Sequence, residues 1–206
     1  EAHADFTFAA DHTPFASLGT DAARRSITLL SPSKTFNIAG LHQGVVVVPD
    51  PATRRLLTGE LELLDLSKNN AFSLVAVEAG YREGGPWLAQ VRRYIEGNMD
   101  YVIDFIRARI PAIRVRKPEG TYLMWLDCRG LGLAPAALQD FLVRRAGLAM
   151  ASGSWFGAGG AGFQRLNVAC PRSTLTGALQ QLEGAVLQLQ ESRRRRETPT
   201  RGPGAS

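Results

Sequence analysis

The sequence predicts an α/β fold followed by a smaller α+β domain, and two short apolar segments carry the first part of that prediction. Residues 26–30 and 44–48 are rich in branched apolar side chains, a pattern typical of strands in a sheet that is covered on both faces. The chain has 206 residues, of which 45% are hydrophobic and 21% are charged. This composition is ordinary for a globular protein and is sufficient for a sizeable core.

Helical patterns follow the second strand. Asp50 precedes Pro51, as an N-cap residue precedes a proline at the first helical position. The helical pattern then continues to about residue 79, with a break at 66–69, and a longer helix is predicted at 87–109.

Shorter elements are mixed in the remainder of the chain, which predicts the α+β domain. We expect strands at 113–116, 122–127 and 163–169, and helices at 135–145 and 175–190. The predicted organisation is therefore a large-domain portion at 1–86, a connecting helix at 87–111, a small domain at 112–191 and a disordered tail at 192–206.

Charge and cysteine usage exclude several classes of function. The net charge is +5, and four of the basic residues are consecutive, Arg193–Arg196; without them the chain is almost neutral, so we expect no nucleic-acid partner. No apolar run approaches the roughly 18 residues that a membrane span needs, and residues 1–5 do not look like a signal peptide. Cys128 and Cys170 have neither disulfide-framework nor zinc-site spacing, so we expect no metal. The cysteine usage favours a reducing compartment. Together with the short apolar runs, it leads us to expect no membrane and a cytoplasmic location.

The candidate chemistry is concentrated after the first predicted strand, where the sequence reads Ser31-Pro-Ser33-Lys34-Thr-Phe-Asn-Ile-Ala-Gly-Leu. Ligands of α/β proteins bind at the carboxyl ends of strands. Two hydroxyls within three residues can donate to a phosphate, and a lysine beside them can form an imine with an aldehyde cofactor. The residues alone leave open a surface lysine, and Ser33 could equally cap the local turn.

This segment closely resembles the pyridoxal-phosphate lysine segment of class I/II aminotransferase-type (fold type I) enzymes, and most of all the branch of bacterial cystathionine β-lyases of the MalY/PatB type (C–S lyases). Other segments resemble that branch in the same order, over about residues 1–190. They are Glu1-x-His3-x-Asp5, His12-Thr-Pro-Phe15, Ala79-Gly-Tyr-Arg82, Gly85-Pro-Trp-Leu88, Glu96-Gly-Asn98, Glu119-Gly-Thr-Tyr122 with Trp125 and Asp127, Gly162-Phe-x-Arg-Leu-Asn167, and Cys170-Pro-Arg-Ser173.

The resemblance implies a role for each candidate residue. Lys34 would hold pyridoxal 5′-phosphate covalently and then move the substrate α-proton, and Ser31, together with Ser33, would bind the cofactor phosphate. His3 stands where relatives place a Tyr or His beside the 3-hydroxyl of the pyridine ring. Arg165 would bind the substrate α-carboxylate, for which the planar guanidinium is suited. From the residues alone, Arg165 could instead form a salt bridge at the rim.

The sequence also departs from the family pattern. The family's Asp that holds the pyridine nitrogen would be the residue before Glu1, and Asp5 does not match it. The upstream segments that supply a ring stacked on the cofactor and an Asn near its hydroxyl are not in this sequence. The position eight after Lys34, often an Arg that binds phosphate in the wider superfamily, is His42. We expect this chain to be the C-terminal half of a longer, homodimeric enzyme, comprising the end of the large-domain sheet and the small domain.

The implied function is a pyridoxal-phosphate-dependent C–S β-lyase, which eliminates a thiol from L-cysteine S-conjugates and leaves pyruvate and ammonia. Two alternatives stay open: an aminotransferase of the same fold, and a non-catalytic fragment that retains the lysine without the upstream groups.

One further motif has the spacing of a dinucleotide-binding loop. Gly157, Gly159 and Gly162 fit Gly-x-Gly-x-x-Gly, but a strand and not a helix is predicted after them. We interpret them as a flexible loop ahead of Arg165.

Overall fold

The computed structural model describes residues 1–197, which form two compact units. The first unit comprises Glu1–Tyr94 and Glu119–Thr121, and the second comprises Ile95–Pro118 and the residues from Tyr122 onward. Helices and strands occur in both units, as the α/β prediction requires.

The first unit contains two strands and mainly helical segments. In chain order they are a 3₁₀ turn at Phe15–Leu18, helix α1 (Thr20–Arg24), strand β1 (Thr28–Leu30), the one-turn helix α2 (Pro32–Thr35), a 3₁₀ turn at Ala39–Leu41, strand β2 (Val45–Val47), helix α3 (Pro51–Leu63), helix α4 (Ala71–Glu83) and the first turns of helix α5 (Gly85–Arg109). The predicted break between α3 and α4 is confirmed.

The two strands of this unit form an antiparallel pair, with Thr28 opposite Val47 and Leu30 opposite Val45. The prediction that both strands are fully buried is wrong for this chain, since Leu29, Val46 and Val47 are exposed. The physical reason is that β1 and β2 pair only with each other among the described residues, and a two-stranded sheet leaves its faces open.

The N-termini of α3 and α4 are capped by side chains. The Asp50 carboxylate accepts a hydrogen bond of 2.8 Å from the Thr53 amide, as its position before Pro51 predicts. The Asn70 side-chain oxygen accepts one of 2.9 Å from the Phe72 amide. The Asn70 cap explains why the helical pattern resumes at Ala71 after the break.

The second unit is built on an antiparallel sheet of four strands in the order β3-β4-β6-β5. Its elements are β3 (Arg114–Val115), β4 (Leu123–Asp127), α6 (Pro135–Arg144), β5 (Ala151–Ser152), β6 (Phe163–Asn167) and α7 (Arg172–Glu197), together with the later turns of α5. The two-residue β5 was not predicted, because two residues give no periodic signal.

The two faces of this sheet differ in burial. Met124 and Leu126 of β4 and Gln164 of β6 are fully buried on one face, whereas Trp125 lies on the other, directly opposite Arg165. The other buried core residues of this unit lie mainly on three helices: Ile95, Met99, Val102 and Ile106 on α5, Leu138 and Leu142 on α6, and Leu175, Leu179, Leu182 and Val186 on α7. The core therefore fixes β4 and β6 from one side and leaves the Trp125 side for a site.

Helix α7 is longer than predicted. It continues to Glu197, so the predicted disordered tail is wrong for residues 192–197. The reason is a contact that the basic run itself makes: Arg193 donates to the carbonyl oxygens of Leu131 at 2.7 Å and Gly132 at 3.2 Å. The rest of the predicted tail, 198–206, lies outside the described residues.

Candidate active site

Lys34 lies on a single helical turn that follows strand β1. Ser31 is its N-cap residue and Pro32 occupies the first helical position, where a proline costs no hydrogen bond. The hydroxyls of Ser31 and Ser33 are 2.7 Å apart, and the Lys34 side chain is exposed. A primary amine and two hydroxyls are therefore presented by one turn.

A partly buried hydrogen bond holds this turn against the N-terminal segment. Thr35, which is only 3% exposed, donates from its hydroxyl to the Asp5 carboxylate at 2.6 Å. Burial raises the pKa of Tyr81, and the negative charge of Asp5 raises it further, while a hydrogen bond with Thr35 acts in the opposite direction. Sequence reasoning missed Thr35 and Asp5, because nothing in their spacing shows that residues 30 positions apart meet.

An aromatic contact holds the turn from a second side. The Phe36 ring packs edge-on against Tyr81, with 5.1 Å between ring centroids. An added Cβ at Gly80 or Gly84 would lie 2.7 or 2.8 Å from this ring, so the Phe36 ring occupies the space that larger residues would need. This packing gives a structural reason for glycine at positions 80 and 84.

His3 lies in the segment that also carries Asp5. Its Nδ1 is 2.9 Å from the Thr121 hydroxyl oxygen, and the Asp5–Thr35 hydrogen bond connects the same segment to the Lys34 turn. The structure thus links His3 to the predicted lysine site through neighbouring residues. His42, the other residue noted near this site, is exposed and has a left-handed backbone (φ 53°) after a 3₁₀ turn.

Arg165 lies in the second unit, on strand β6. Its guanidinium carbon is 4.7 Å from the centroid of the Phe156 ring, and that ring contacts Trp125 edge-on at 5.5 Å. Trp125 in turn stacks on Phe163 at 5.7 Å. Among the described residues Arg165 forms no ion pair, so its guanidinium is oriented by a ring and its charge is not neutralised by a neighbouring carboxylate.

A second arginine closes the other end of this aromatic row. The Arg129 guanidinium lies 4.7 Å from the Phe163 centroid and forms hydrogen bonds of 2.8 Å to both carboxylate oxygens of Asp127. Hydrogen bonding to Arg129 lowers the pKa of Asp127. In this row the charge of Arg129 is therefore neutralised by Asp127, whereas the Arg165 guanidinium can bind an anion.

The loop that carries Phe156 is closed by backbone contact between two glycines. An added Cβ at Gly153 would lie 2.1 Å from the Gly160 carbonyl oxygen, and one at Gly160 would lie 2.0 Å from the Gly153 oxygen. The loop between them forms 3₁₀ turns, and Gly162 leads directly into strand β6. The strand–loop–helix context that a dinucleotide-binding loop needs is therefore not present here.

We expect Gly160→Ala to lower the free energy of unfolding by about 2 kcal/mol, because its Cβ and a backbone oxygen cannot occupy the same space. Urea denaturation followed by tryptophan fluorescence measures the loss. Gly159→Ala is the matched control: nothing lies within 4 Å of its added Cβ, so its effect should stay below about 0.5 kcal/mol. Equal effects of the two substitutions would contradict the closed loop.

The two cysteines are poor candidates for a second nucleophile, because each thiol has a raised pKa. Burial raises the pKa of Cys128 to about 12, and burial also raises the pKa of Cys170.

Within residues 1–197 no group of three His, Cys, Asp or Glu side chains could hold a metal ion. The described helices also include none with the length and apolar character of a membrane span.

The lysine-bearing turn fits a phosphorylated aldehyde in its chemistry. The Lys34 amine is the group that condenses with an aldehyde, and the adjacent hydroxyls of Ser31 and Ser33 are hydrogen-bond donors suited to a phosphate. Their mutual hydrogen bond of 2.7 Å is one that both hydroxyls can exchange for bonds to an anion.

The lysine-bearing turn directly after strand β1 and the mixed helices and strands of both units agree with the aminotransferase-type fold that the sequence predicts. The chain belongs to the aminotransferase class I and II family, which it matches over residues 1–182. It is similar to cystathionine beta-lyase PatB of Bacillus subtilis, with 40% identity over 187 residues, covering 90% of this chain and 48% of the relative. Its identity to protein MalY of Escherichia coli is 35% over 178 residues, covering 85% of this chain and 45% of MalY.

A solved structure shows the same fold. Cystalysin from Treponema denticola, which contains a pyridoxal 5′-phosphate cofactor, matches with a TM-score of 0.90 and 34% identity, covering 92% of this chain and 48% of that one. The predicted fold class and the predicted relation to the cystathionine β-lyase branch are confirmed. The chain spans about half the length of the curated relatives it matches.

Proposed function

We propose that this chain carries the cofactor lysine and the substrate-carboxylate arginine of a pyridoxal-phosphate-dependent C–S β-lyase. The observation that carries the proposal is the Lys34 turn, which presents an exposed amine beside two paired hydroxyls. The partly buried Thr35–Asp5 hydrogen bond holds this turn in place. The naming of PatB as a cystathionine β-lyase supports the choice of reaction.

The overall reaction for cystathionine consumes one water. L-Cystathionine and water give homocysteine, pyruvate and ammonia. The Cα–H and Cβ–S bonds break, and the thiolate leaves with the electron pair and is protonated. Water then adds at Cα, the Cα–N bond breaks, and the keto oxygen of pyruvate replaces the nitrogen, which leaves as ammonia. Pyridoxal phosphate, when bound, supplies the electron withdrawal that makes the α-proton acidic.

Each residue has a separate task in this reaction. The Lys34 amine would hold the cofactor and, once the substrate amine has displaced it, accept the α-proton, because it then lies beside Cα. Ser31 and Ser33 would donate to the cofactor phosphate, and His3 would contact the ring 3-hydroxyl. Arg165 would bind the α-carboxylate with two parallel N–H donors.

A second function, transamination, is favoured by the family itself, which comprises class I and II aminotransferases. It uses the same lysine and the same arginine. The products separate the two reactions: elimination releases a thiol and pyruvate, whereas transamination gives the keto acid of the intact substrate. We propose further that the full enzyme is a cytoplasmic homodimer acting on amino acids.

The test is to mix the purified chain with pyridoxal phosphate, reduce with borohydride and map the adduct by peptide mass spectrometry. We expect label at Lys34 at least tenfold above that at Lys68, which is also exposed and forms an ion pair with Asp65, three residues earlier. Hydrogen bonds to Asp100 and Glu96 raise the pKa of Lys117, so this amine should react poorly.

Pyridoxal, which lacks the phosphate, is the matched probe for the two serines. Labelling of Lys34 should be faster with the phosphorylated aldehyde, and Ser31→Ala should reduce that advantage. Labelling scattered over all three lysines, or none at all, would overturn cofactor binding by this chain and support the non-catalytic alternative.

A further inference from the structure

The Glu-Gly-Thr sequence at 119–121 has no task in the proposed reaction, although it lies against the segment that carries His3. The Phe8 amide donates to the Glu119 carbonyl at 2.9 Å, and the Thr121 amide donates to the Phe6 carbonyl at 2.7 Å. An added Cβ at Gly120 would lie 3.1 Å from the Phe6 oxygen. The two segments are therefore joined by backbone hydrogen bonds at close approach.

Thr121 has an unusual backbone conformation at this junction, with φ at +67°. Three other non-glycine residues in the described chain have positive φ: Asn37, His42 and Asp65. Asn, Asp and His are the types that adopt this region most readily, whereas a β-branched residue there is a genuine outlier. Such strain persists when the surrounding structure imposes it and is concentrated at functional sites.

The strained backbone places the Thr121 hydroxyl oxygen 2.9 Å from Nδ1 of His3. A neutral imidazole carries its proton on one nitrogen only, and the hydrogen bond made by one nitrogen determines which of the two is protonated. Within residues 1–197, the Thr121 hydroxyl forms its side-chain hydrogen bond with His3 Nδ1. A hydroxyl that donates to Nδ1 leaves the ring proton on Nε2.

We propose that Thr121 is a positioning residue that holds the His3 ring in one orientation and in the Nε2–H tautomer. The inference rests on the proposed function in one respect: His3 would donate a hydrogen bond to the 3-hydroxyl oxygen of the cofactor ring. That oxygen is a hydrogen-bond acceptor when ionised, so an Nε2–H donor suits it. A glycine would adopt this backbone conformation without strain but has no hydroxyl. The strained Thr121 backbone is therefore the cost of placing a hydroxyl beside His3.

Nitrogen-15 NMR of the imidazole rings tests the tautomer without cofactor or activity. The chain has three histidines, which keeps the spectrum simple, and the measurement is made about two units above the usual histidine pKa of roughly 6.5. We expect the two His3 nitrogens to differ more in chemical shift than those of exposed His42, with the proton on Nε2. A His3 proton on Nδ1, or His3 shifts equal to those of His42, would overturn the proposal.

Three substitutions separate the hydroxyl from the strain. Thr121→Val removes the hydroxyl and keeps the β-branch, and Thr121→Gly removes both the hydroxyl and the strain; in each, the His3 shifts should approach those of His42. Thr121→Ser keeps the hydroxyl and should retain the wild-type shifts. The glycine variant should unfold at higher urea than the valine variant, so a change in His3 that both share cannot come from unfolding.

A cofactor experiment distinguishes this proposal from the proposed function. If wild-type Lys34 takes the pyridoxal phosphate label, Thr121→Val should reduce the labelling rate about two- to tenfold, and Thr121→Ser should restore it. An unchanged rate in Thr121→Val would contradict the role toward the cofactor. If wild-type Lys34 takes no label, the proposed function fails, while the NMR spectra still decide whether Thr121 positions His3.

Discussion

Lys34→Arg is expected to abolish borohydride-stable attachment of pyridoxal phosphate within residues 31–37. The guanidinium keeps the positive charge and most of the length of the side chain, but it is not deprotonated in proteins and cannot act as the nucleophile. Because Lys34 is exposed, the free energy of unfolding should change by less than about 0.5 kcal/mol. Peptide mass spectrometry and urea denaturation of the same preparation measure the two effects.

Lys68→Arg is the matched control, since Lys68 is a second exposed lysine on the same unit. It should leave the label at Lys34 unchanged. Equal label in peptide 31–37 of the wild type and of Lys34→Arg would mean that another group in that peptide reacts, which contradicts the assignment of the cofactor lysine.

Asn98→Leu is expected to cause the largest loss of stability, about 3–4 kcal/mol. The Asn98 side chain is fully buried in α5; its amide nitrogen donates to the carbonyls of Val168 at 2.8 Å and Cys170 at 3.0 Å. Its oxygen accepts a hydrogen bond of 2.7 Å from Arg172. Leucine has the same branched shape but is larger, so it crowds the core and also leaves two carbonyls and a guanidinium without this partner.

Urea denaturation followed by circular dichroism measures this loss. Asn69→Leu is the control at an exposed asparagine in the linker between α3 and α4, where we expect a change below about 0.5 kcal/mol. A loss under about 1 kcal/mol for Asn98→Leu would show that water or a rearranged Arg172 satisfies the two carbonyls.

Several features of the fold and the candidate site follow from local sequence. Asp50 before Pro51 marks the start of α3, since a cap and a preset φ act within one turn. The position of Lys34 directly after a strand is likewise a local property, and the family resemblance of the surrounding residues identified its candidate role. Such signals need no knowledge of what packs against the segment.

Other features depend on contacts between distant residues, and local patterns do not contain them. Asp5 and Thr35 are 30 residues apart, and neither residue type indicates that the two form a hydrogen bond. The exposure of Val46 and Val47 depends on which elements cover strand β2, not on the strand's own composition. The backbone contact between Gly153 and Gly160 was hidden in a glycine-rich stretch that resembled a flexible loop.

The contact between His3 and Thr121 has a consequence for the order in which the protein assembles during translation. The two residues are 118 positions apart, and a ribosome adds about 5–20 residues per second, so Thr121 is made roughly 6 to 24 s after His3. Thr35, by contrast, follows Asp5 by only 30 residues. The lysine turn can therefore join the N-terminal segment early, whereas the histidine obtains its threonine partner only after α3, α4 and α5 have been synthesised.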